Sequence, residues 1–282
     1  MPDLPAQAPP PLGPEWLPAL LLGEVDSTQT RLSLDFSRFP STDSRWRLCL
    51  ARSQTQGVGR SGARWLAPVD SALLMTIGAQ LIISPSILPR ASLVAGLAVA
   101  QTLVRLGASV RIKWPNDLMV LHQNRWLKLG GILCQMLAGP RGDPIWLCGL
   151  GLNVSQVDPS LAGHAIALQD LGIQVPIPEL AGTLAQAIRQ QFLAWQQRGG
   201  ALDVAATQAH LCFLGDSVSL DCGGPLPLRA VLVGIDHQGA LIVRNSQQSL
   251  TTCTPLHIAA SFGSPGWQPR GTDGISCATS DR

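Results

Sequence analysis

This chain has few charged residues, and its positive and negative residues are nearly equal in number. Charged residues make up 13% of the 282 residues, with 20 Lys and Arg against 18 Asp and Glu. Without a basic run or stripe, the charge gives no reason to expect DNA or RNA as a partner. Hydrophobic residues make up 46%, which excludes a disordered chain and supplies ample material for a core. The length fits one large domain, or one domain with a small appendage.

The sequence also lacks paired cysteines, a signal sequence and a long apolar run. Its seven cysteines form no Cys-x-x-Cys pair and are odd in number, which favours reduced thiols over a disulfide framework. The first residues show no cationic start followed by an apolar core. Pro, Arg or Gln interrupts each apolar stretch before the roughly 20 residues of a membrane span. We therefore expect a cytoplasmic protein with no membrane partner.

Strand and helix patterns alternate through most of the chain. A helix is expected to begin at Asp26, with Asp26 as cap and Gln29 as its capping-box partner. Strands are predicted at 45–53, 71–83 and 144–155, a hairpin at 119–133 with its tip at 122–124, and helices at 91–107 and 178–198.

The pattern changes after about Leu211, where only short strands follow, as in a small β-barrel. The prediction is an α+β protein with a small C-terminal β domain. Its expected parts are a flexible Pro-rich leader (1–17), a main domain (18–208), the β domain (209–262) and a flexible tail (263–282).

The segment GVGRSG, residues 57–62, has the G-x-G-x-x-G spacing of a dinucleotide-binding loop. Such a site needs a helix directly after the loop and an acid about 20 residues later. Pro68 would interrupt that helix, and no acid lies at the required distance. We therefore set NAD or FAD binding aside. The remaining alternatives are an ordinary surface hairpin, or a loop that brings backbone N–H groups and the Arg60 and Arg64 side chains to an anion.

Two lysine-containing segments follow the loop. In RIKWPNDL (111–118), Pro115 requires extended backbone at Trp114, so Lys113 should end a strand with its side chain in a fixed direction. That lysine either extends to water or pairs with an anion. In KLGGIL (128–133), two adjacent glycines weaken a strand and suit a place where a ligand or another backbone lies close.

Two further segments are ambiguous by themselves. In GLGLNV (149–154), alternation places Gly149, Gly151 and Asn153 on one face of a strand. That face is either a bare floor for a flat ring or a place of tight packing. The hydroxyls of DST (26–28) are either helix caps alone or caps that also point into a pocket.

Taken in this order, DST, Gln54 with the glycine loop, KWPNDL, KLGGIL and GLGLN resemble the biotin protein ligases over roughly residues 20–260. The resemblance implies a catalytic domain related to class II aminoacyl-tRNA synthetases and an SH3-like C-terminal barrel. Only about 25 residues precede DST, so the resemblance is to the type without an N-terminal DNA-binding domain. No DNA partner is expected.

The family reaction implies the chemistry that the site must perform. Biotin is activated by ATP as biotinyl-AMP and then transferred to a lysine of a biotin carboxyl carrier protein of acetyl-CoA carboxylase. In the first step an anion attacks an anion, and two unit charges about 4 Å apart repel by about 4 kcal/mol at an effective dielectric of about 20. Cations must therefore line the site. By resemblance we choose Lys113 and Arg60 as catalytic, with Lys128 as a second cation.

The resemblance also implies two sets of binding residues. The biotin set is Ser27, Thr28, Gln29, Gln54, Gly57, Val58, Gly59, Arg60, Lys113, Gly131, Gly149 and Gly151. The ATP or adenylate set is Arg60, Arg64, Trp65, Lys113, Asn116, Lys128 and Asn153. Mg²⁺ should accompany ATP, but no carboxylate cluster indicates a resident metal site.

The chain departs from the family pattern at two places. Relatives often have Arg where Val58 stands, and an acid follows GGIL where Cys134 and Gln135 stand here. The alternatives that remain are a lipoate ligase-like enzyme and a catalytically silent biotin-binding sensor. The sequence leaves open which carrier is recognised and whether the enzyme forms a homodimer.

Overall fold

The computed structural model describes residues 6–36, 44–80, 87–138, 144–220, 228–247, 249–253 and 275–277. A mixed seven-stranded sheet is its largest element, with strand order β1-β2-β3-β7-β6-β5-β4. The strands β1 and β2 are parallel and all other neighbours are antiparallel. Their bounds are β1 Leu20–Val25, β2 Arg47–Gln54, β3 Ala72–Gln80, β4 Val110–Lys113, β5 Asp117–His122, β6 Arg125–Ala138 and β7 Pro144–Asn153.

The central strands β3 and β7 are nearly continuous apolar runs because both of their faces are covered. The predicted hairpin is β5 and β6, joined at Gln123 and Asn124, which both have positive φ. Two consecutive residues with positive φ form the tight turn whose twist matches that of paired strands. The strands and the hairpin predicted from the sequence are therefore confirmed.

Within the described residues, four α-helices accompany the sheet: α1 Thr28–Asp35, α2 Leu88–Arg105, α3 Ile177–Gln197 and α4 Val204–Ala209. Helices α2 and α3 pack on each other, and their apolar faces share one core with the sheet. Proline stands in the first turn of both helices, where the missing N–H costs nothing. Among the described residues, no helix is long and apolar enough to cross a membrane.

The start of α1 differs from the prediction. Ser27 is the N-cap, and its hydroxyl accepts a hydrogen bond from the Gln29 N–H at 3.2 Å. The Asp26 carboxylate instead accepts from the Ser27 N–H and from the Arg31 guanidinium. The Gln29 amide donates to the Leu133 carbonyl at 2.7 Å, on strand β6. The predicted capping box is therefore wrong, because tertiary contacts take the Gln29 side chain away from the helix.

The N-terminal leader is ordered over its described part, 6–17. Trp16 and Leu17 are buried, and Trp16 forms a parallel bridge with Trp46 next to β1 and β2. The Ala6 N–H donates to the Leu22 carbonyl at 3.0 Å. The prediction of a flexible leader is wrong for these residues because their apolar side chains complete the core. Residues 1–5 lie outside the described part of the chain.

A second, antiparallel sheet follows α4, with order β11-β10-β9-β8-β12. Its strands are β8 Ser217–Leu220, β9 Leu228–Ile235, β10 Leu241–Arg244, β11 Leu250–Cys253 and β12 Ile275–Cys277. The last strand lies in the predicted flexible tail and pairs with β8; the rest of 263–282 lies outside the described residues. The main and small sheets, with four helices, confirm the α+β prediction.

The small sheet attaches to the outer edge of the main sheet. The Ile112 N–H donates to the His210 carbonyl at 2.6 Å, and the Cys212 N–H donates to the Ile112 carbonyl at 2.9 Å. The Trp114 indole donates to the Gly239 carbonyl at 2.9 Å. Strand β4 is thus closed between β5 and the C-terminal part of the chain, which buries the side chains at its end.

Candidate active site

A cleft lies where α1, the glycine loop and strands β5, β6 and β7 converge. Polar and cationic residues share its wall with apolar ones. The lining residues are Ser27, Thr28, Gln29, Gln54, Val58, Gly59, Arg60, Ala63, Arg64, Trp65, Met75, Asn116, Asp117, Lys128, Gly131, Ile132, Leu133, Gly149, Leu150 and Gly151.

One end of the cleft is a network of small polar side chains. The backbone N–H and the hydroxyl of Thr28 both donate to Gln54 Oε1, at 2.7 and 3.0 Å. The Thr28 and Thr76 hydroxyls are 2.8 Å apart. Because Thr28 uses its only hydroxyl hydrogen on Gln54, Thr76 is the donor of that bond. The network fixes the orientation of the Gln54 amide at the cleft wall.

The glycine face of β7 is covered by side chains of the protein itself. A Cβ at Gly151 would lie 2.6 Å from Trp65 Cε2, and one at Gly149 would lie 2.9 Å from Gln29 Nε2. The two glycines therefore permit close packing of an indole ring and an amide. This face packs tightly against Trp65 and Gln29, and Gly149, Gly151 and Trp65 also line the cleft.

The glycine loop is a narrow hairpin. The Gly59 N–H donates to the Ala63 carbonyl at 2.6 Å, and the Trp65 N–H donates to the Gly57 carbonyl at 2.9 Å. Between them, Arg60–Gly62 form one 3-10 turn. No helix follows, and the chain instead runs on to β3. The interpretation as a dinucleotide loop is thereby excluded, and Arg60 and Arg64 line the cleft from the side opposite the sheet.

A lysine and an aspartate form an ion pair on the wall made by β5 and β6. Lys128 Nζ lies 2.7 Å from Asp117 Oδ1. The Asp117 side chain is almost completely buried, whereas that of Lys128 is 35% exposed. A Cβ at Gly131 would lie 3.5 Å from Asp117 Oδ1 and 3.6 Å from Lys128 Cε. The glycine thus leaves room for the pair at the edge of the cleft.

Comparison with known proteins decides the family. The model of the biotin/lipoate A/B protein ligase family matches residues 22–153. Over 228 residues, the chain is 33% identical to the bifunctional ligase/repressor BirA of Escherichia coli (strain K12), covering 79% of this chain and 68% of that protein. The chain belongs to the biotin/lipoate A/B protein ligase family.

Other similarities agree with this assignment. The chain is 29% identical over 198 residues to the biotin–[acetyl-CoA-carboxylase] ligase of Mycobacterium tuberculosis (strain ATCC 25618 / H37Rv), covering 68% of this chain and 71% of that protein. Biotin protein ligase from Aquifex aeolicus, solved in complex with biotin and ATP, superposes with a TM-score of 0.68 at 21% identity. The superposition covers 93% of this chain and 97% of that one, and it shows a common fold.

The structure places most of the predicted site residues of this ligase-family chain around the cleft. Three residues of the predicted sets do not line it: Gly57, Lys113 and Asn153. Gly57 lies behind the wall, where a Cβ would meet Gln54 Nε2 at 2.8 Å. The Asn153 amide is buried and donates to the Ile166 carbonyl at 3.2 Å.

Lys113 is the most consequential of the three. It ends β4 as predicted, but its side chain is only 2% exposed and lies outside the cleft lining. The small C-terminal sheet closes that edge, and sequence reasoning could not anticipate how β4 would be covered. Of the two lysines, Lys128 lines the cleft, and the catalytic role of Lys113 stays a prediction.

Sequence reasoning also missed residues of the lining. Asp117 belongs to the KWPND segment. It could have been predicted as a site residue because the same segment contains the predicted cation Lys113. Thr76 does not line the cleft but bonds to Thr28 of the lining; it lies fully buried in an apolar strand, and no sequence pattern distinguishes it. The other missed residues are Ala63, Met75, Ile132, Leu133 and Leu150, which form an apolar part of the wall.

None of the described cysteines lines the cleft. Cys134 and Cys148 are direct partners across β6 and β7. A hydrogen bond with the Cys134 side chain that stabilises the protonated Cys148 thiol, together with burial, raises the pKa of Cys148. Burial likewise raises the pKa of Cys49 to about 12. Thiols of this kind are inert at neutral pH, and within the described part of the chain no three His, Cys, Asp or Glu residues form a group that could hold a metal.

Proposed function

We propose that this chain is an ATP-dependent biotin–protein ligase. It would form biotinyl-AMP and transfer the biotinyl group to a lysine of a biotin carboxyl carrier protein. Family membership and the names of the relatives support this proposal. The observation that carries it is the cleft itself, whose lining combines Lys128 on the sheet with Arg60 and Arg64 on the glycine loop.

Lys128 is proposed as the second cation beside Lys113, as the resemblance suggested. Its ammonium is at the cleft edge, partly exposed, on a strand in the middle of the sheet. An ammonium there can lie between the biotin carboxylate and the α-phosphate, and it offsets their mutual repulsion as charge builds on the phosphorus oxygens. Strand pairing fixes the backbone at Lys128, and the ion pair with Asp117 holds its ammonium at the cleft edge.

Biotin is assigned to the end of the cleft formed by Ser27, Thr28 and Gln54. A ureido ring has N–H donors and a carbonyl acceptor, which match an array of hydroxyl and amide groups. Lipoate has no ureido group and would leave these polar residues unused. The indole of Trp65 and the side chains of Ile132 and Leu150 supply apolar surface for the thioether ring and the aliphatic chain.

ATP is assigned to the side of the glycine loop. Arg60 and Arg64 offer planar guanidinium groups suited to phosphate oxygens, and Asn116 and Lys128 complete this side. The described residues do not form a protein cage for Mg²⁺, and Asp117, the carboxylate of the lining, is paired with Lys128. Magnesium would therefore enter with its phosphates as MgATP, held mainly by the substrate.

The proposal extends to fold and location. We infer that the main domain is related to class II aminoacyl-tRNA synthetases and that the small sheet is an SH3-like barrel, which accords with its five short antiparallel strands. A cytoplasmic location is proposed on the scattered, reduced cysteines.

The proposal is tested by a labelling experiment. The purified chain is incubated with MgATP, a carrier domain and either radiolabelled biotin or radiolabelled lipoate. Label on the carrier with biotin alone is the expected result, and a carrier whose acceptor lysine is replaced by Arg is the control. Labelling by lipoate alone would establish the lipoate ligase alternative. Biotin binding without pyrophosphate release or transfer would leave the biotin-binding sensor.

A further inference from the structure

Three hydrogen-bonded side chains lead from the centre of the main sheet to the cleft. Thr76, on β3, is fully buried and does not line the cleft. Its hydroxyl lies 2.8 Å from that of Thr28 at the start of α1, and the Thr28 hydroxyl lies 3.0 Å from Gln54 Oε1. Thr28 and Gln54 both line the cleft. A ligand can therefore touch the last two side chains of this series but not the first.

The direction of these hydrogen bonds follows from what each group can do. An amide oxygen only accepts, so Gln54 Oε1 accepts from the backbone N–H of Thr28 at 2.7 Å and from the Thr28 hydroxyl. A flipped Gln54 amide would place its NH2 group against the Thr28 N–H, which can only donate. Thr76 must then supply the hydrogen between the two hydroxyls. One arrangement of donors and acceptors thus satisfies the three side chains.

This arrangement decides what Gln54 and Thr28 can offer to a ligand. Gln54 Oε1 already accepts two hydrogen bonds, and among the described residues no acceptor takes the N–H groups of Gln54 Nε2. The Thr28 hydroxyl donates once and accepts once, which leaves it one lone pair. Toward the cleft, Gln54 is therefore a donor and Thr28 an acceptor. A cyclic urea matches the two groups, because its carbonyl accepts from Gln54 while a ring N–H donates to Thr28.

Thr76 is fixed at a rigid place in the sheet. It stands in the middle of β3, opposite Cys49 on β2 and Gly149 on β7, so strands on both sides hold its backbone. Its β-branched side chain is also restricted in rotation. Without this donor, the Thr28 hydroxyl could rotate and turn its hydrogen into the cleft, where it would oppose the ring N–H of the ligand. The buried hydroxyl thus affects the ligand through Thr28.

We propose that Thr76 is a positioning residue for ligand selection: it holds Thr28 as an acceptor and Gln54 as a donor, so that the cleft selects a cyclic urea. This inference rests on the proposed function and deepens it. Thr76 does not touch biotin and lies apart from the cations that serve the chemical step. Loss of its hydroxyl should therefore raise the KM for biotin, while kcat and the KM for ATP change little.

Pyrophosphate release, with kcat and the KM values of biotin and ATP determined separately, tests the role of Thr76. Thr76→Val keeps the shape and removes the hydroxyl, so the KM for biotin should rise about 5- to 10-fold, with kcat and the KM for ATP within about threefold. Thr76→Ser keeps the donor and should hold the KM for biotin within about threefold of that of the unmodified enzyme.

Thr102→Val is the matched control. Thr102 is also a buried threonine, it lies outside the cleft, and its hydroxyl donates to the Ala98 carbonyl at 2.8 Å. The control loses a buried hydrogen bond and should keep all three constants unchanged. A KM for biotin that rises equally in the control, or that stays unchanged in Thr76→Val, would overturn the inference.

The double variant Thr28→Val/Thr76→Val distinguishes an effect through Thr28 from a general loss of packing. If Thr76 acts through the Thr28 hydroxyl, the KM for biotin of the double variant should equal that of Thr28→Val within about threefold. A larger further rise would overturn the inference. Should Thr76→Val not fold, Thr76→Ala replaces it in both comparisons, with the same expected results.

The analogue 2-iminobiotin tests the direction of the hydrogen bonds. An N–H group replaces the ureido carbonyl oxygen in this compound, so it meets the Gln54 donor with another donor. The unmodified enzyme should prefer biotin by about 10²-fold or more in kcat/KM. In Gln54→Glu an acceptor replaces Nε2, and the preference should shift toward 2-iminobiotin by about tenfold or more. Equal use of the two compounds by the unmodified enzyme, or an unshifted preference in the variant, would overturn the inference. An unmodified enzyme that releases no pyrophosphate with biotin would refute the proposed function instead.

Discussion

The two sides of the cleft are built differently. The sheet side consists of paired strands, and its polar groups are fixed by register and buried bonds, such as that between Lys128 and Asp117. The loop side is a short hairpin, 55–65, held by a few backbone bonds and partly exposed, with Val58 47% exposed. The difference indicates a division of work, in which the sheet sets the charge geometry of the reaction and the loop binds and covers substrates.

Lys128→Met should have the largest effect, because it removes the fixed cation of the sheet side. Loss of one preorganised electrostatic group costs about 10²–10³-fold in kcat, and we expect that loss in pyrophosphate release, together with a lower melting temperature because the buried Asp117 carboxylate loses its ion-pair partner. Arg125→Met, on the same strand but outside the cleft, is the control. An equal loss of kcat in the control, or an unchanged kcat in Lys128→Met, would contradict the role of the sheet side in the reaction.

Gly151→Ala tests the place where the loop meets the sheet. The added methyl would lie 2.6 Å from the Trp65 ring, and overpacking of this kind costs about 1–3 kcal/mol of unfolding free energy. We expect a lower melting temperature and, because Trp65 lines the cleft, a KM for biotin raised by about tenfold, which is about 1.4 kcal/mol.

Gly149→Ala is the matched change on the same face. Its methyl would meet Gln29 Nε2 at 2.9 Å, at the end of a flexible side chain that can move. Its effects on stability and on the KM for biotin should therefore be smaller than those of Gly151→Ala. The reverse order would show that Trp65 does not position the loop over the sheet.

Arg60→Met tests the loop as a substrate-binding element. A hydrogen bond to a charged group contributes about 1.5–3 kcal/mol, so the KM for ATP should rise about tenfold or more, while the melting temperature stays constant. A change confined to kcat would contradict the division of work, since it would place the loop side in the chemical step.

Val58→Arg should give the smallest effect and the opposite sign. The position is exposed at the cleft mouth, and an exposed charge pair contributes about 0–1 kcal/mol. We therefore expect the KM for ATP to fall by up to about fivefold, an effect that added salt should reduce. Val58→Gln is the neutral control of similar polarity, and an equal gain from it would exclude a charge effect.

The alternation of polar and apolar residues was sufficient to predict most of the architecture. The hairpin of β5 and β6, the buried strands β3 and β7 and the helix α3 follow from local periodicity, which the fold did not override. The helix start at DST was foreseen, but its cap was misassigned. Gln29 bonds to a strand about 100 residues away, and no local pattern contains that information.

The candidate site was also predictable only in part. The segments that border the cleft could be identified from their glycines, their hydroxyls and their cations. The sequence could not show which lysine lines the cleft, because Lys113 in KWPNDL and Lys128 in KLGGIL both stand in predicted strands. The answer depends on the C-terminal sheet, which closes the edge beside β4 and leaves β6 open to the cleft.

The sequence by itself determined the α+β class, the family resemblance and the residue types that the chemistry requires, because periodicity and motif spacing are local properties. Only the tertiary structure decided which of those residues meet. Burial depends on what packs over a side chain, and the elements that bury Lys113 and cover Gly151 lie far from them along the chain.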